Sequence, residues 1–403
     1  MPSSMMVSQA ATLLNAVVAQ QTGQTALANI SSNADFISVA QTALLTGRDP
    51  VLNALSQVWK RTVFAARPYT SPLASLAMSM DRYGNALRKL SPEATSMYAD
   101  EGFTWPATYD AGQSPPLGDG QSIDMYKIAK QKVLQTNFYG SAAYEQKYTI
   151  FQRQFDVAFS DAEEFVRFND MCITERRNDR ERFEEAKARM LQLNYIAALL
   201  DEGSTERVIH LLTEYNTLTG QSLTATTVMQ AANFEAFIRW MYSRIRTIVG
   251  LMRESSNQYQ TILTGHNILR HTNPENCRVA LYRPFLEMIR SMVLSNLYNT
   301  DMMTLPTYEA VDFWQSIETP GSINTTPVYT DAAGAVKTAS GAVTSAVVIG
   351  VIHDRDALGY ALLDDRVNVT PYNAAGDYWN EFYKARFMGI QDMTEKGVVL
   401  CLD

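Results

Sequence analysis

The sequence is poor in the residues that most often carry chemistry. Its 403 residues include only four histidines and three cysteines, and charged residues make up 19% of the chain. Cys172, Cys277 and Cys401 are far apart and form no C-x-x-C pair, which favours reduced thiols over a disulfide framework. A formal net charge of -8 also disfavours a dedicated nucleic-acid binder, because such proteins bind phosphates with an excess of Lys and Arg.

Long hydrophobic runs are scarce as well. The apolar stretch at residues 13–19 is short and follows no basic leader, so we expect neither export nor a membrane span. We therefore expect the protein to be made and used in the cytoplasm. Apolar residues still make up 46% of the chain, including 20 Tyr and 16 Phe, which is enough for two or three packed subdomains.

Recognisable catalytic motifs are missing from the whole sequence. It contains no Walker loop, no dinucleotide-binding glycine pattern and no Gly-x-Ser-x-Gly nucleophile elbow. The closest histidine pair, His266 and His271, has no Cys or Asp beside it to complete a metal site. The sequence thus predicts no catalytic, cofactor-binding or metal-binding residues, and no enzyme activity.

One cluster has two interpretations. In the run His353-Asp354-Arg355-Asp356, a histidine beside carboxylates is suited to proton transfer or metal binding. The run also separates two apolar segments, residues 347–352 and 357–360, and Asp is common in turns. We favour the turn and keep an active site as the alternative.

The first 90 residues differ from the rest in charge. Residues 1–47 contain a single charged side chain, Asp35, which favours an arm lying on another protein surface. The alternative is a disordered polar tail. Residues 49–90 have apolar residues at helix spacing and are broken by Pro68 and Pro72, so helical pieces are predicted, the second over residues 73–90.

A long hairpin is predicted next. Residues 151–159 alternate between apolar and polar, and we expect them to pair with residues 123–133. The Gly- and Pro-rich residues 111–120, which precede this pair of strands, are predicted to form a turn or loop. We expect so long a hairpin to protrude and lie on a neighbouring molecule, since an isolated pair of strands is marginally stable.

A single long helix follows, over residues 160–200. Ser160 and Glu163 form a capping box, and no Pro or Gly occurs before Gly203. The middle of this helix, residues 175–185, mixes charges of both signs, which is typical of an exposed, ion-paired helix. A nucleic-acid patch is the less favoured alternative.

The remaining sequence mixes helices and strands, so the fold class is α+β. Phe234, Ile238, Met241, Ile245, Ile248 and Met252 form one stripe of a predicted core-packing helix. Helices are predicted over residues 205–215, 225–252 and 284–297, loops over 319–341, and strands over 278–282, 347–352, 366–370, 378–388 and 397–402, with turns at 364–365 and 373–376.

This order of features resembles the tailed-bacteriophage major capsid proteins of the Hong Kong 97 type, most clearly in residues 351–359, 378–390 and 397–402. The resemblance implies an N-terminal arm, an extended β-hairpin loop, a long spine helix, and peripheral and axial domains. The corresponding residues are 1–90 for the arm and its helices, 91–159 for the loop, 160–271 for the peripheral domain with the spine helix at 160–200, 272–365 for the axial domain and 366–403 for the closing strands.

The resemblance implies a function in assembly. Copies would form pentamers and hexamers of an icosahedral shell around double-stranded DNA, located in the virion after assembly in the bacterial cytoplasm. Implied partners are other copies, scaffolding, portal and decoration proteins, and weakly bound DNA, with no membrane and no cofactor. Alternatives are an encapsulin-like nanocompartment shell, another virion protein such as a portal or tail protein, or a hydrolase.

Overall fold

The computed structural model describes residues 73–78, 86–95, 126, 128, 130–152, 162–293 and 308–403. Within them the predicted α+β class is confirmed. The helices are α1 (Ala162–Glu202), α2 (Leu211–Thr219), α3 (Ala225–Val228), α4 (Ala231–Met252) and α5 (Arg283–Val293), with short 3₁₀ helices at Ala74–Leu76 and Arg355–Ala357. The strands are β1 (Ala86–Pro92), β2 (Val133–Tyr139), β3 (Ala142–Phe151), β4 (Val208–His210), β5 (Cys277–Tyr282), β6 (Tyr308–Val311), β7 (Ile323–Thr325), β8 (Val328–Thr330), β9 (Val336–Thr338), β10 (Val343–Ser345), β11 (Val348–Asp354), β12 (Leu358–Val369), β13 (Tyr378–Gln391) and β14 (Gly397–Cys401).

The longest element is α1, which extends for about 60 Å at about 1.5 Å per residue. The helix predicted over residues 160–200 is thereby confirmed. Its length follows from the absence of Pro and Gly, the two residues that most often interrupt helices. The helix ends before Gly203, which has a φ of 65° that few other residues adopt. Ser160 of the predicted capping box lies outside the described residues.

Two larger sheets form the body of the protein. A three-stranded antiparallel sheet has the order β12-β13-β3, and a five-stranded sheet has the order β4-β14-β11-β5-β6. The five-stranded sheet is antiparallel at its centre and parallel at both edges. Strands β11 and β14 are buried along their whole length, which is why they are continuous apolar runs in the sequence.

Helix α1 links the two sheets through one continuous core. Its residues 195–199 are buried and pack in a cluster with Val351 and Val399 of the five-stranded sheet. The same cluster includes Tyr360 and Phe387 of the three-stranded sheet. The helix therefore supports both sheets from one side.

Helices α2, α4 and α5 cover the other face of the five-stranded sheet. The predicted α4 stripe is confirmed as core packing, since all six of its residues are buried there with Ile352 and Leu400. These two residues alternate with Val351 and Val399, as the two-residue period of a strand requires. This core includes residues on both sides of position 271, where the sequence places a domain boundary.

The charged middle of α1 is ion-paired, as predicted, but only part of it is exposed. Arg176 makes two bonds of 2.7 and 2.5 Å to Glu381 of β13, and the Asp179 carboxylate accepts bonds from Gln146 and Tyr148 of β3. Arg176 and Asp179 thus lie on the three-stranded sheet, whereas Glu175 and Arg182 are exposed. The mixed charges indicated ion pairing correctly but left the partner strands unidentified.

The predicted pairing of residues 123–133 with 151–159 is also wrong where the structure describes it. Val133 pairs with Pro92, because β2 pairs with β1, and Phe151 pairs with Tyr378 of β13. Strands β1 and β2 form a separate two-stranded ribbon, called the ribbon below. Alternation in a sequence identifies a strand but leaves its partner open, since distant segments compete for it.

Five further predictions need correction. Residues 86–90 of a predicted helix are strand β1, and residues 208–210 of another are strand β4, which completes the sheet edge beside β14. The helix over residues 225–252 is interrupted at Gln230, whose backbone is extended. Residues 364–365, predicted as a turn, are instead paired with β13 inside β12, directly after a bulge at Leu363. The predicted loops at 319–341 contain the short strands β7, β8 and β9.

Several predictions lie outside the described residues, namely the arm over residues 1–47, the first helical piece and the Gly- and Pro-rich stretch at 111–120. In the part of the chain that is described, every helix is too short or too polar for a membrane crossing.

Candidate functional site

The turn between β13 and β14, residues 392–396, is entirely buried although four of its five side chains are polar. Asp392 shapes it locally, because its carboxylate accepts bonds from the Thr394 amide at 2.9 Å and the Thr394 hydroxyl at 2.6 Å. A buried charged turn is stable only if each charge finds a partner. These partners come from several elements that are distant in sequence.

Two cations meet the turn. Lys89 of β1 donates to Asp392 at 2.7 Å and also to Glu395. Arg270 lies 3.3 Å from Glu395 and donates to the Ser91 hydroxyl at 2.8 Å. Lys89, Arg270, Asp392 and Glu395, called the charged cluster below, thus join the ribbon to the body.

The connection after β1 is joined to the body by a second set of contacts. Glu93 lies 2.6 Å from the Nδ1 atom of His266, and the Ala94 amide donates to the Asn267 carbonyl at 2.9 Å. The loop that carries His266 and Arg270 therefore holds both the ribbon and the chain that leaves it.

On its other side the turn contacts the α4 end and the five-stranded sheet. The amine of Lys396 donates to the Glu254 carbonyl at 2.7 Å and to the Ser256 hydroxyl at 3.0 Å. Arg207, also buried, donates to the Gly397 carbonyl at 3.1 Å and to Glu202 at 2.6 Å. A movement of the turn would disturb β14, so the ribbon is coupled to the main core.

Burial and ion pairing act against each other on the pKa values of the cluster. Burial acts to raise the pKa of Asp392, but Lys89 and Thr394 outweigh it and hold this pKa below its ordinary value. Burial raises the pKa of Glu395 above the ordinary value, although Lys89 and Arg270 oppose the rise. Burial also lowers the pKa of Lys396, whose bonded partners are uncharged. Glu395 is therefore the carboxylate of the cluster that protonates first on acidification.

The run His353-Asp354-Arg355-Asp356 forms the predicted turn. His353 ends the buried strand β11 and Asp354 caps the 3₁₀ helix, accepting a bond from the Asp356 amide at 2.9 Å. The Nδ1 atom of His353 lies 2.8 Å from the Asp354 carbonyl, and burial lowers the pKa of the imidazole. The histidine is 1% exposed, so it is a core residue.

The other residues considered for chemistry are dispersed. His266 pairs with Glu93, and no group of three potential metal ligands forms within the described residues. Cys277 and Cys401 are free thiols, and burial raises their pKa values to about 11 and about 12. Neither thiol is activated as a nucleophile, because the thiolate is the reactive form.

The charged cluster was not predicted from the sequence. The signal was the three charged residues Asp392, Glu395 and Lys396 between two apolar strands, with Asp and Thr at the spacing of a side-chain turn. Such a segment is ordinarily a solvated turn. Its burial depends on Lys89, which is about 300 residues away in sequence.

The comparisons with known proteins point to phage capsids. The profile of a family described as Phi29-like phage major capsid protein matches residues 14–391. A chain of a solved structure, described as head fiber and inner core protein gp22 of native bacteriophage P68, has a TM-score of 0.50 and 11% identity, with 81% of this chain and 83% of that chain covered. The capsid structure of Staphylococcus phage Andhra gives a TM-score of 0.48 at 11% identity over the same shares. No curated protein sequence matches the chain.

The fold and the family match together define a shell-forming structural protein of a phage capsid. The chain belongs to the Phi29-like phage major capsid protein family, because the match spans most of its length. The predicted Hong Kong 97-type fold and virion location are confirmed. Family membership also decides against the nanocompartment alternative.

Proposed function

We propose that copies of this protein assemble into pentamers and hexamers of a closed icosahedral shell around double-stranded DNA, and that the chain catalyses no reaction. The observation that supports this most directly is the two-faced ribbon. On its inner face, Leu87 and Phe138 pack against Ala361, Leu363 and Met388 of the three-stranded sheet. On its outer face, large apolar side chains remain uncovered in the single chain.

The outer face has the character of an interface between subunits. Leu90 is 54% exposed, Val133 is 53% exposed and Tyr139 is 79% exposed, and all three lie on the same side of the ribbon. Pro92 pairs with Val133 and extends this apolar group next to Leu90, while the polar residues Arg88 and Asn137 lie between Leu90 and Tyr139. Exposed groups of apolar side chains mark surfaces that are covered in an assembly. In the proposed shell, a neighbouring copy covers this group.

The division into arm, extended loop, peripheral domain, axial domain and closing strands is part of the same proposal, with one change from the predicted peripheral domain at residues 160–271. We assign the three-stranded sheet with the first part of α1 to the peripheral domain, and the five-stranded sheet with α2, α4 and α5 to the axial domain. In this assignment, each domain consists of one of the two larger sheets and the helices that pack on it. It places residues 205–252 in the axial domain rather than with the spine helix.

We also propose other virion proteins and packaged DNA as partners of the shell. Scaffolding, portal and decoration proteins would meet a shell of this kind, and the net charge of -8 suits weak, non-specific contact with packaged DNA. A shell that bound DNA tightly would oppose packaging. Assembly would take place in the bacterial cytoplasm.

The outer face of the ribbon can be tested with the double variant Leu90→Thr/Val133→Thr. Thr keeps the preference for a strand but removes the apolar contact, which we expect to contribute about 1 kcal/mol for each half-buried side chain. A loss of about 2 kcal/mol per subunit raises the concentration required for assembly by about 30-fold. Sedimentation velocity at a series of protein concentrations measures this shift.

The matched control is Asn137→Thr, a polar residue on the same outer face of β2. This variant should assemble at the wild-type concentration. The proposed role of the ribbon is wrong if the double variant assembles as readily as the control.

A further inference from the structure

The middle of the ribbon is docked by charges, in contrast to the apolar contacts at its Ala86–Tyr139 end. The side chains of the charged cluster are largely buried, with exposures of 20% for Lys89, 16% for Arg270, 3% for Asp392 and 8% for Glu395. We propose that the charged cluster is a charge-balanced latch, in which Lys89 is the positioning residue that sets the docked state of the ribbon. The importance of this latch for shell assembly rests on the proposed function, whereas the latch itself is a property of the single chain.

The charge count supports a latch. Lys89 from β1 and Arg270 from the neighbouring loop provide two positive charges, and Asp392 and Glu395 provide two negative ones. Glu395 contacts both cations, so it links the ribbon and the loop to one carboxylate. The other titratable groups packed here include Tyr195 of α1, which is neutral, and Lys396, which is bonded to the Glu254 carbonyl and the Ser256 hydroxyl. Arg207 pairs with Glu202 on the other side of the turn, and His266 of the neighbouring loop pairs with Glu93.

Removal of Lys89 would leave the charged cluster with one positive and two negative charges. Two buried carboxylates would then share Arg270 as their one remaining cation in the cluster. Loss of one partner from a buried ion pair is strongly destabilising, because a charge is left without compensation. The local response is release of the ribbon, which admits water to Asp392 and Glu395. A released two-stranded ribbon frays, because two strands alone are marginally stable in water.

The latch predicts opposite responses to acid in two proteins. In the wild type, protonation of Glu395 leaves two cations with one carboxylate, so docking weakens. In Lys89→Gln, protonation of Glu395 removes the repulsion between the carboxylates, so docking strengthens. A purely steric role for Lys89 would give both proteins the same direction of change with pH.

The experiment is hydrogen exchange of the full-length, unassembled chain at pH 7.5 and pH 5.5, with rates expressed as protection relative to intrinsic exchange. Lys89→Gln should lower the protection of β1 and β2 at pH 7.5 by about tenfold or more, since local opening exposes these amides. Protection should partly return at pH 5.5. In the wild type, the protection of β1 and β2 at pH 5.5 should be equal to or lower than at pH 7.5. The matched control is Lys132→Gln, which removes the same charge from an exposed position beside β2.

The double variant Lys89→Gln/Glu395→Gln keeps the test decisive if Lys89→Gln unfolds more widely. It retains one cation and one carboxylate, so the latch predicts ribbon protection near that of the wild type at pH 7.5. The proposal is overturned if Lys89→Gln behaves as Lys132→Gln does, or if the double variant stays as unprotected as Lys89→Gln. Neither result depends on assembly, so a failure of the latch is distinct from a failure of the proposed shell function.

Discussion

At the scale of single residues, the buried ionisable groups are structural. His353, Lys396 and Arg207 are each at most 1% exposed, and each has hydrogen-bond partners in the turns and strands around it. A cluster that resembles an active site in sequence can therefore be a core turn, because sequence shows neighbours along the chain but not burial. This distinction gives His353 a measurable signature.

We predict that His353 makes the stability of the chain depend on pH. Burial lowers its pKa in the folded state, so below about pH 6.5 the unfolded state binds the extra proton. The free energy of unfolding should therefore fall as the pH drops below about 6.5, by at most about 1.4 kcal/mol per pH unit from this group. Chemical denaturation of wild type and His353→Asn between pH 5 and 8 measures the contribution.

The difference in stability between the two proteins should shrink as the pH falls from 6.5 to 5, because Asn carries no titrating group. Comparing the proteins removes the contributions of Glu381 and Glu395, whose raised pKa values act in the opposite direction. A difference that is constant across this pH range would contradict the prediction.

At the scale of elements, α1 has two kinds of contact along its length. Its C-terminal part is apolar and lies in the core, whereas its charged middle is bound to the three-stranded sheet through Arg176, Asp179 and Phe183. The ion pair between Arg176 and Glu381 is the most buried of these polar contacts, with side-chain exposures of 13% and 4%. Helix and sheet are thus aligned by specific pairs as well as by apolar packing.

We predict that Arg176→Met destabilises the chain by about 3 kcal/mol, because it leaves Glu381 buried without its cation. Arg182→Met is the matched control, since Arg182 is 74% exposed and pairs with Asp179 at 3.3 Å, and its loss should change stability by less than about 1 kcal/mol. The double variant Arg176→Met/Glu381→Met should recover most of the loss. Equal effects of the two single variants in denaturant titrations would contradict this account.

At the scale of the whole molecule, the sequence predicted the elements that have strong local signals. Helix α1 lacks breakers over its full length, and β11 and β14 are continuous apolar strands, so each was found within two residues of its limits. The ribbon was not predicted because Lys89, a charged residue, lies on the inner face of β1. This inward position is explained only by its ion pairs with Asp392 and Glu395. Whether such a segment forms a strand depends on pairing between residues that are distant in sequence, and local periodicity carries no information about that pairing.

The function could be predicted from the sequence, whereas the charged cluster could not. The order of a long hairpin, one long helix and closing strands indicated a capsid protein even though the hairpin partners were wrong. Family membership rests on most of the chain, whereas the cluster rests on four side chains from three segments.

Above all, we propose that this chain builds a closed shell from copies of itself. Negative-stain electron microscopy of the purified protein, alone and co-expressed with a candidate scaffolding protein, tests it most directly. We predict closed shells, or pentamer and hexamer rings, in at least one of these conditions. Discrete dimers or tetramers under every condition would contradict the claim.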